Sequence, residues 1–212
     1  MPSHSAAERE ALADELTDAG PHRPTLCDGW TTTELVAHLV SRERRPDAAI
    51  GLLVPVLSGW TDRIQGKYAT RPYPELVAAF RAGPPLTSPM AFPGVDARVN
   101  LVEHFVHRED IRRAGPGWTP RELPAARQDA LWAQICQMGR MLFRSSPVSV
   151  TLRTPDGRAK QVVTRANGEG IELVGEPAEL TLYGSGRKDQ ADVQIEGPDD
   201  AVTAFRELSL NL

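Results

Sequence analysis

The run Val102-Glu103-His104-Phe105-Val106-His107-Arg108-Glu109-Asp110 concentrates the residues of this chain that are able to do chemistry, including two of its five histidines. At about 100° per residue along a helix, Glu103, His107 and Asp110 fall within about 60° of one another, so their side chains converge above one face. A carboxylate at i and an imidazole at i+4 form a two-ligand clip. Its donor set suits Zn²⁺, with Fe²⁺, Mn²⁺ and Ni²⁺ as alternatives. A third ligand is required, and His38 is the candidate, because it interrupts the apolar face between Leu35 and Leu39. Bland alternatives stand beside this reading. His38 is equally the type of inward histidine that a core satisfies by hydrogen bonding, and Glu103 and His107 could belong to a solvated ion-pair ladder with Arg108, Arg112 and Arg113. His104 and His107, three residues apart, offer a different clip toward another face.

Around these ligands stand other polar candidates. Asp110 is read as an acceptor orienting His107 or a bound water, against a plain salt bridge to Arg112 or Arg113. Arg42, one turn beyond His38, is a candidate for holding a substrate or thiol carboxylate or phosphate, against a solvated basic face shared with Arg44 and Arg45. Arg187, in a loop between Gly184, Gly186 and Lys188, is a second substrate-binding candidate. Cys27 reads as a structural turn residue, against a redox or nucleophilic thiol, and Cys136 as core; His4 and His22 read as solvent-exposed, and the four Trp as packing anchors.

These side chains need a scaffold, and the first two thirds of the chain read as helices with punctuation. Ser5-Ala6-Ala7-Glu8 has capping-box spacing, opening a helix that Gly20-Pro21 stops. Thr31-Thr32-Thr33-Glu34 repeats the device and starts the helix that carries His38. A broken helical region spans Asp47 to Tyr68 with kinks at Pro55 and Gly59, followed by a short helix from Pro74 to Arg81 and a Pro-rich loop from Gly83 to Gly94. Asp96 to Ala114 and Pro124 to Phe143 are long helices. Near Ser145 the character changes. Val148-Leu152, Gln161-Val163, Ile171-Val174 and Val193-Ile195 read as strands, with Pro177-Tyr183 and Asp199-Leu208 as helices. The expected architecture is an all-α unit over residues 1–145 followed by a small α+β domain over 146–212.

The chain has 212 residues, and 24 Lys plus Arg against 28 Asp plus Glu give a formal charge of −4. That balance supplies no basic field for a polyanion, so nucleic acid is not an expected partner. The apolar stretches are broken by Pro and Gly and fall short of the ~20 residues a spanning helix needs, so no membrane partner is expected either. Two cysteines and the absence of a secretory pattern at the start point to a reduced, cytoplasmic setting.

Cys27-Asp28-Gly29-Trp30-Thr31 leading into Glu34-Leu35-Val36-Ala37-His38-Leu39, then Glu103, His107 and Asp110 in order, resembles the mycothiol-dependent maleylpyruvate isomerase family, among the DinB-like four-helix bundles. Glu176-Pro177-Ala178-Glu179-Leu180, Gly186-Arg187 and Val193-Gln194-Ile195-Glu196-Gly197 resemble that family's small C-terminal domain, similar to sterol-carrier-type folds. The resemblance implies a zinc site made by His38, Glu103 and His107, with mycothiol, the low-molecular-weight thiol of actinobacteria, as cosubstrate. It implies an S-transferase or isomerase acting on a small electrophile, as a monomer or homodimer. The rival expectations are a thiol-independent hydrolase in which the metal activates water, and a non-catalytic metal-containing binding or carrier module.

Overall fold

The structure, a computed structural model, describes residues 3–45, 58–85, 88, 91, 95–166 and 170–208. Packing divides the chain into two compact units, residues 1–118 and 119–212. Among the described residues the first unit is helical: α1 (His4–Ala19), α2 (Thr32–Arg44), α3 (Ser58–Ala69), α4 (Tyr73–Arg81) and α5 (Val95–Arg112). The start of the broken helix expected from Asp47, its Pro55 kink and much of the Pro-rich loop lie outside the described residues.

Local chemistry sets the helix ends. Thr31 accepts from the Thr33 backbone while Glu34 reaches back to the Thr31 N–H at 2.9 Å, so the expected capping box opens α2. At α1 the cap lies earlier than its sequence pattern suggests. Ser3, not Ser5, accepts from Ala6 N at 3.1 Å, while Ser5 and Glu8 are buried inside the helix. Glu8 turns inward because α5 offers it a cation, Arg108, 3.7 Å away. Gly20 closes α1 at φ +70°, its N–H donating to Leu16 O.

The first core combines Leu12, Ala13 and Leu16 of α1 with Leu35, Val36, Leu39 and Val40 of α2, Leu76 and Phe80 of α4, and Ile111 of α5. The apolar stripes read from helical spacing thus meet one another. α1 lies along α5 and α4, and α2 lies along α3 and α4.

The second unit carries α6 (Ala125–Leu142), β1 (Ser149–Arg153), β2 (Ala159–Val163), β3 (Gly170–Val174), α7 (Pro177–Gly184), β4 (Gln194–Glu196) and α8 (Asp199–Arg206). The sheet runs in the order β2-β1-β3-β4, with β1 and β3 parallel and the outer pairs antiparallel. The β1–β2 hairpin turns at Gly157, φ +92°, as the Pro-Asp-Gly signal suggests. The boundary between units falls at 118/119 rather than at the change of character near 145. The reason is that α6 sends Ile135 into the core formed by Val150, Leu152, Ile171, Leu173, Leu180 and Phe205, so this helix belongs to the sheet.

Gly139 shows how closely α6 and β2 approach. A Cβ built on it meets Val162 Cγ1 at 2.6 Å, inside van der Waals contact. Gly139→Ala is therefore expected to destabilise the second unit by about 1–3 kcal/mol despite Ala's better helix propensity. Val162→Ala in the same chain should recover part of that loss, and thermal unfolding of the two variants checks both statements.

Candidate metal centre

α2 and α5 bring three of the expected residues together. His38 Nε2 lies 3.1 Å from Glu103 Oε1, and His107 Nε2 lies 3.4 Å from the same oxygen. The imidazole rings of His38 and His107 meet edge to face with centroids 5.3 Å apart. One ligand atom from each of His38, Glu103 and His107 falls within 4.8 Å of the others. A tetrahedral zinc with bonds of about 2.05 Å separates neighbouring ligand atoms by about 3.3 Å, which the two nitrogen–oxygen distances bracket.

Asp110, one turn along α5, occupies the far side of the His107 ring. Its Oδ2 accepts from Nδ1 at 2.8 Å, and it is fully buried. Arg112 and Arg113 pair with Glu109 instead, at 3.0 and 2.6 Å, and Arg108 turns to Glu8 and Glu15. The ion-pair ladder envisaged around Glu103 and His107 thus forms elsewhere on the helix. With Nδ1–H committed to Asp110, a neutral His107 presents the bare lone pair of Nε2 to a carboxylate oxygen. Two acceptors at 3.4 Å repel one another unless a proton or a metal cation lies between them.

Without a metal, a proton fills that role. Burial depresses the His107 imidazolium, but hydrogen bonding to Asp110, Cys27 and Glu103 outweighs it and holds the group well above the ordinary histidine range. Burial likewise raises the Glu103 carboxyl. Hydrogen bonds from His107 and His38 and the Arg42 charge prevail, keeping it well below the ordinary range.

Arg42 joins the cluster, its Nε 3.4 Å from Glu103 Oε1 and its Nη1 donating to Asn100 Oδ1 at 2.6 Å. It is no solvated basic residue: the side chain is 11 % exposed. Arg187 lies in the second unit, where its guanidinium donates to the Ser185 carbonyl. His104 is not the partner of His107. It points to a different face of α5, fully buried, with Nε2 3.5 Å from Glu43 Oε1 and its ring edge-on to Phe80.

Two further residues join this cluster, Cys27, expected as a turn residue, and Asn100, for which no role was expected. Cys27 places Sγ 3.3 Å from Asp110 Oδ2 and 4.0 Å from His107 Nδ1. Asn100, three residues before Glu103 and fully buried, holds the guanidinium of Arg42. The Asn100–Glu103 spacing on one helix face was a signal available for Asn100. For Cys27, eighty residues from its partners, spacing offers none.

Residues 3–88 match the sequence model described as the mycothiol maleylpyruvate isomerase N-terminal domain. Among solved structures, that of the mycothiol-dependent maleylpyruvate isomerase superposes with a TM-score of 0.62 at 17 % identity, covering 92 % of each chain. A histidine-to-alanine mutant of the mycothiol-dependent maleylpyruvate isomerase gives 0.61 at 15 % identity, again covering 92 % of each chain. At such identities these two likenesses establish a shared fold. No functionally curated sequence matches the chain. Residues 3–88, which hold His38, Arg42 and the Cys27 turn, thus carry the likeness to the mycothiol maleylpyruvate isomerase N-terminal domain, and the likeness in fold extends over the rest of the chain.

Proposed function

We propose that this protein is a zinc-dependent, mycothiol-dependent enzyme, an isomerase or S-transferase for a small electrophile, built on a DinB-like four-helix frame with a sterol-carrier-like second unit. The observation that carries the metal is the facing of His38 Nε2 and His107 Nε2 onto one oxygen of Glu103 at 3.1 and 3.4 Å. The match of residues 3–88 to the mycothiol maleylpyruvate isomerase N-terminal domain supports the thiol, and the solved enzyme of the same fold is a mycothiol-dependent maleylpyruvate isomerase. A divalent cation bound by these residues would convert a thiol, mostly protonated at pH 7, into a thiolate nucleophile.

The chain's own residues do the rest. His38 and His107 supply neutral nitrogen ligands and Glu103 one negative charge, which leaves a net positive centre that attracts an anion. Asp110 holds the proton on Nδ1 of His107, so that Nε2 keeps its lone pair for the metal. Arg42 adds a fixed cation beside Glu103, suited to a carboxylate on the incoming thiol or substrate. Addition of the thiolate to an activated alkene, rotation about the resulting single bond and expulsion of the thiolate give isomerisation. Displacement of a leaving group without expulsion gives S-transfer.

Metal analysis followed by titration with mycothiol tests this reading. The protein refilled with Zn²⁺ is expected to hold about one equivalent, and mycothiol added to the Co²⁺ form is expected to raise a sulfur-to-cobalt charge-transfer band. Uptake far below one equivalent removes the metal. A full equivalent without the band leaves a water-activating hydrolase or a carrier and removes the thiol.

A further inference from the structure

The turn between α1 and α2 meets both candidate histidine ligands. Pro24 and Thr31 form an isolated antiparallel bridge, the Trp30 N–H donates to Cys27 O at 3.0 Å, and Cys27 N–H donates to the Thr25 hydroxyl at 3.2 Å. Gly29, at φ +72°, permits the tight return. The turn docks on the last turn of α5, where the Leu26 N–H donates to the Asp110 carbonyl at 3.0 Å. That carbonyl is among the four at a helix end that lack an intrahelical partner, so the turn satisfies a helix terminus while fixing its own position.

Docked in this way, the turn aims two side chains. The Cys27 thiol donates to Asp110 Oδ2 at 3.3 Å, the oxygen that also accepts from His107 Nδ1 at 2.8 Å. The Trp30 ring lies against the His38 ring with centroids 5.2 Å apart. The imidazole and the thiol thus converge on one carboxylate oxygen, and the thiol holds that oxygen in line with the His107 N–H.

We propose that the Cys27–Trp30 turn is the positioning frame of the metal centre, with Cys27 acting on His107 through Asp110 and Trp30 bearing on His38. Cys27, His107 and Asp110 also bring ligand atoms within 4.8 Å of one another, but the sulfur faces the Nδ1 side of His107 while the Glu103 oxygen faces Nε2, so toward a metal held with Glu103 and His38, Cys27 is a positioning residue and not a ligand. The inference rests on the metal reading above, yet makes a separable claim about a residue outside the ligand set. Held by Asp110, His107 keeps its Nδ1–H tautomer and its ring orientation. Loss of the thiol loosens Asp110 and so weakens metal binding without removing any ligand.

The test is zinc affinity, measured by competition with a chromogenic chelator, in wild type, Cys27→Ala, Asp110→Asn and the double variant, alongside thermal unfolding of each metal-free protein. Cys27→Ala is expected to bind zinc about 10-fold more weakly, at the low end for residues that support a ligand, with an unchanged unfolding midpoint. In the Asp110→Asn background the same change should cost less than about 2-fold, because the group through which Cys27 acts has lost its charge. Wild-type affinity in Cys27→Ala overturns the proposal, as does an equal loss in both backgrounds or a loss that appears only with a lowered unfolding midpoint. Failure of the wild-type protein to bind zinc overturns the metal reading itself, and that result is seen before any variant is compared.

Discussion

Glu103→Ala is expected to weaken zinc binding by about 10²–10³-fold while leaving the fold in place. Structural zinc sites bind with about 10–16 kcal/mol across four ligands, so one ligand accounts for about 2.5–4 kcal/mol, and each 1.4 kcal/mol is a factor of ten. Glu103 is the sharpest choice of the three, because both imidazoles face its Oε1. Its removal takes away a ligand and the only negative charge of the set. Glu103→Gln separates the two contributions: the amide keeps an oxygen donor of the same reach but not the charge, and should fall between wild type and Glu103→Ala. The side chain is 24 % exposed and supports no core packing, so circular dichroism of the metal-free variant should match wild type. An unchanged chelator competition curve for Glu103→Ala would remove Glu103 from the ligand set.

The second large effect lies on the other face of α5 and concerns stability. Arg9 of α1 and Glu43 of α2 are 2.6 Å apart with 8 % and 2 % of their side chains exposed, and His104 of α5 lies 3.5 Å from the same carboxylate oxygen. Arg9 also donates to the Phe80 carbonyl at 3.0 Å, and its guanidinium lies 5.1 Å from the centre of the Phe80 ring. Four helices therefore meet at one buried ion pair. Glu43→Ala strips the partner from a buried cation and is expected to cost about 3–5 kcal/mol. For a unit of this size that lowers the unfolding midpoint by roughly 10–20 °C. Replacing both charges, Arg9→Met with Glu43→Leu, should cost much less than Glu43→Ala alone, since desolvation of both ions is then avoided. Calorimetry of the two proteins decides the matter. A double variant as unstable as the single would show that the pair contributes through packing rather than through charge balance.

These two faces of α5 also explain what could be read from the sequence. Helical spacing placed Glu103 and His107 on one face, and the break in the apolar pattern at His38 marked the partner on α2; the structure brings all three to one point. The Thr31–Glu34 box was legible because both of its hydrogen bonds are local. Ser5–Glu8 carries the same pattern and misleads, because Glu8 faces Arg108 of α5, an interaction that local sequence does not encode. Sequence spacing pairs His104 only with His107, three positions on. Its contacts, Glu43 and Phe80, lie on other helices at separations of 61 and 24 positions. The apolar stripe of α6 announced a buried helix, but periodicity does not say whether the covering surface is a helix or a sheet. That ambiguity moved the boundary between the units. Cys27 was legible as a turn residue within the motif that carries the resemblance, but its partners were not: its contact with Asp110 depends on a turn docking at the end of a helix some eighty residues away.

The adjacency of Glu103 and His104 has a consequence for how this chain can diverge. The two residues share a peptide bond yet, about 100° apart around the helix, serve different faces, one turned to the candidate metal centre and the other to the buried Arg9–Glu43 pair. A helix cannot rotate to improve one face without disturbing the other. Substitutions that accumulate at Arg9, Glu43 or Phe80 are therefore expected to shift the azimuth of α5 and with it the Glu103–His107 pair on its neighbouring face. Residues 103–107 of any descendant inherit two constraints out of phase with each other. Selection for a new substrate meets least resistance at positions that belong to neither.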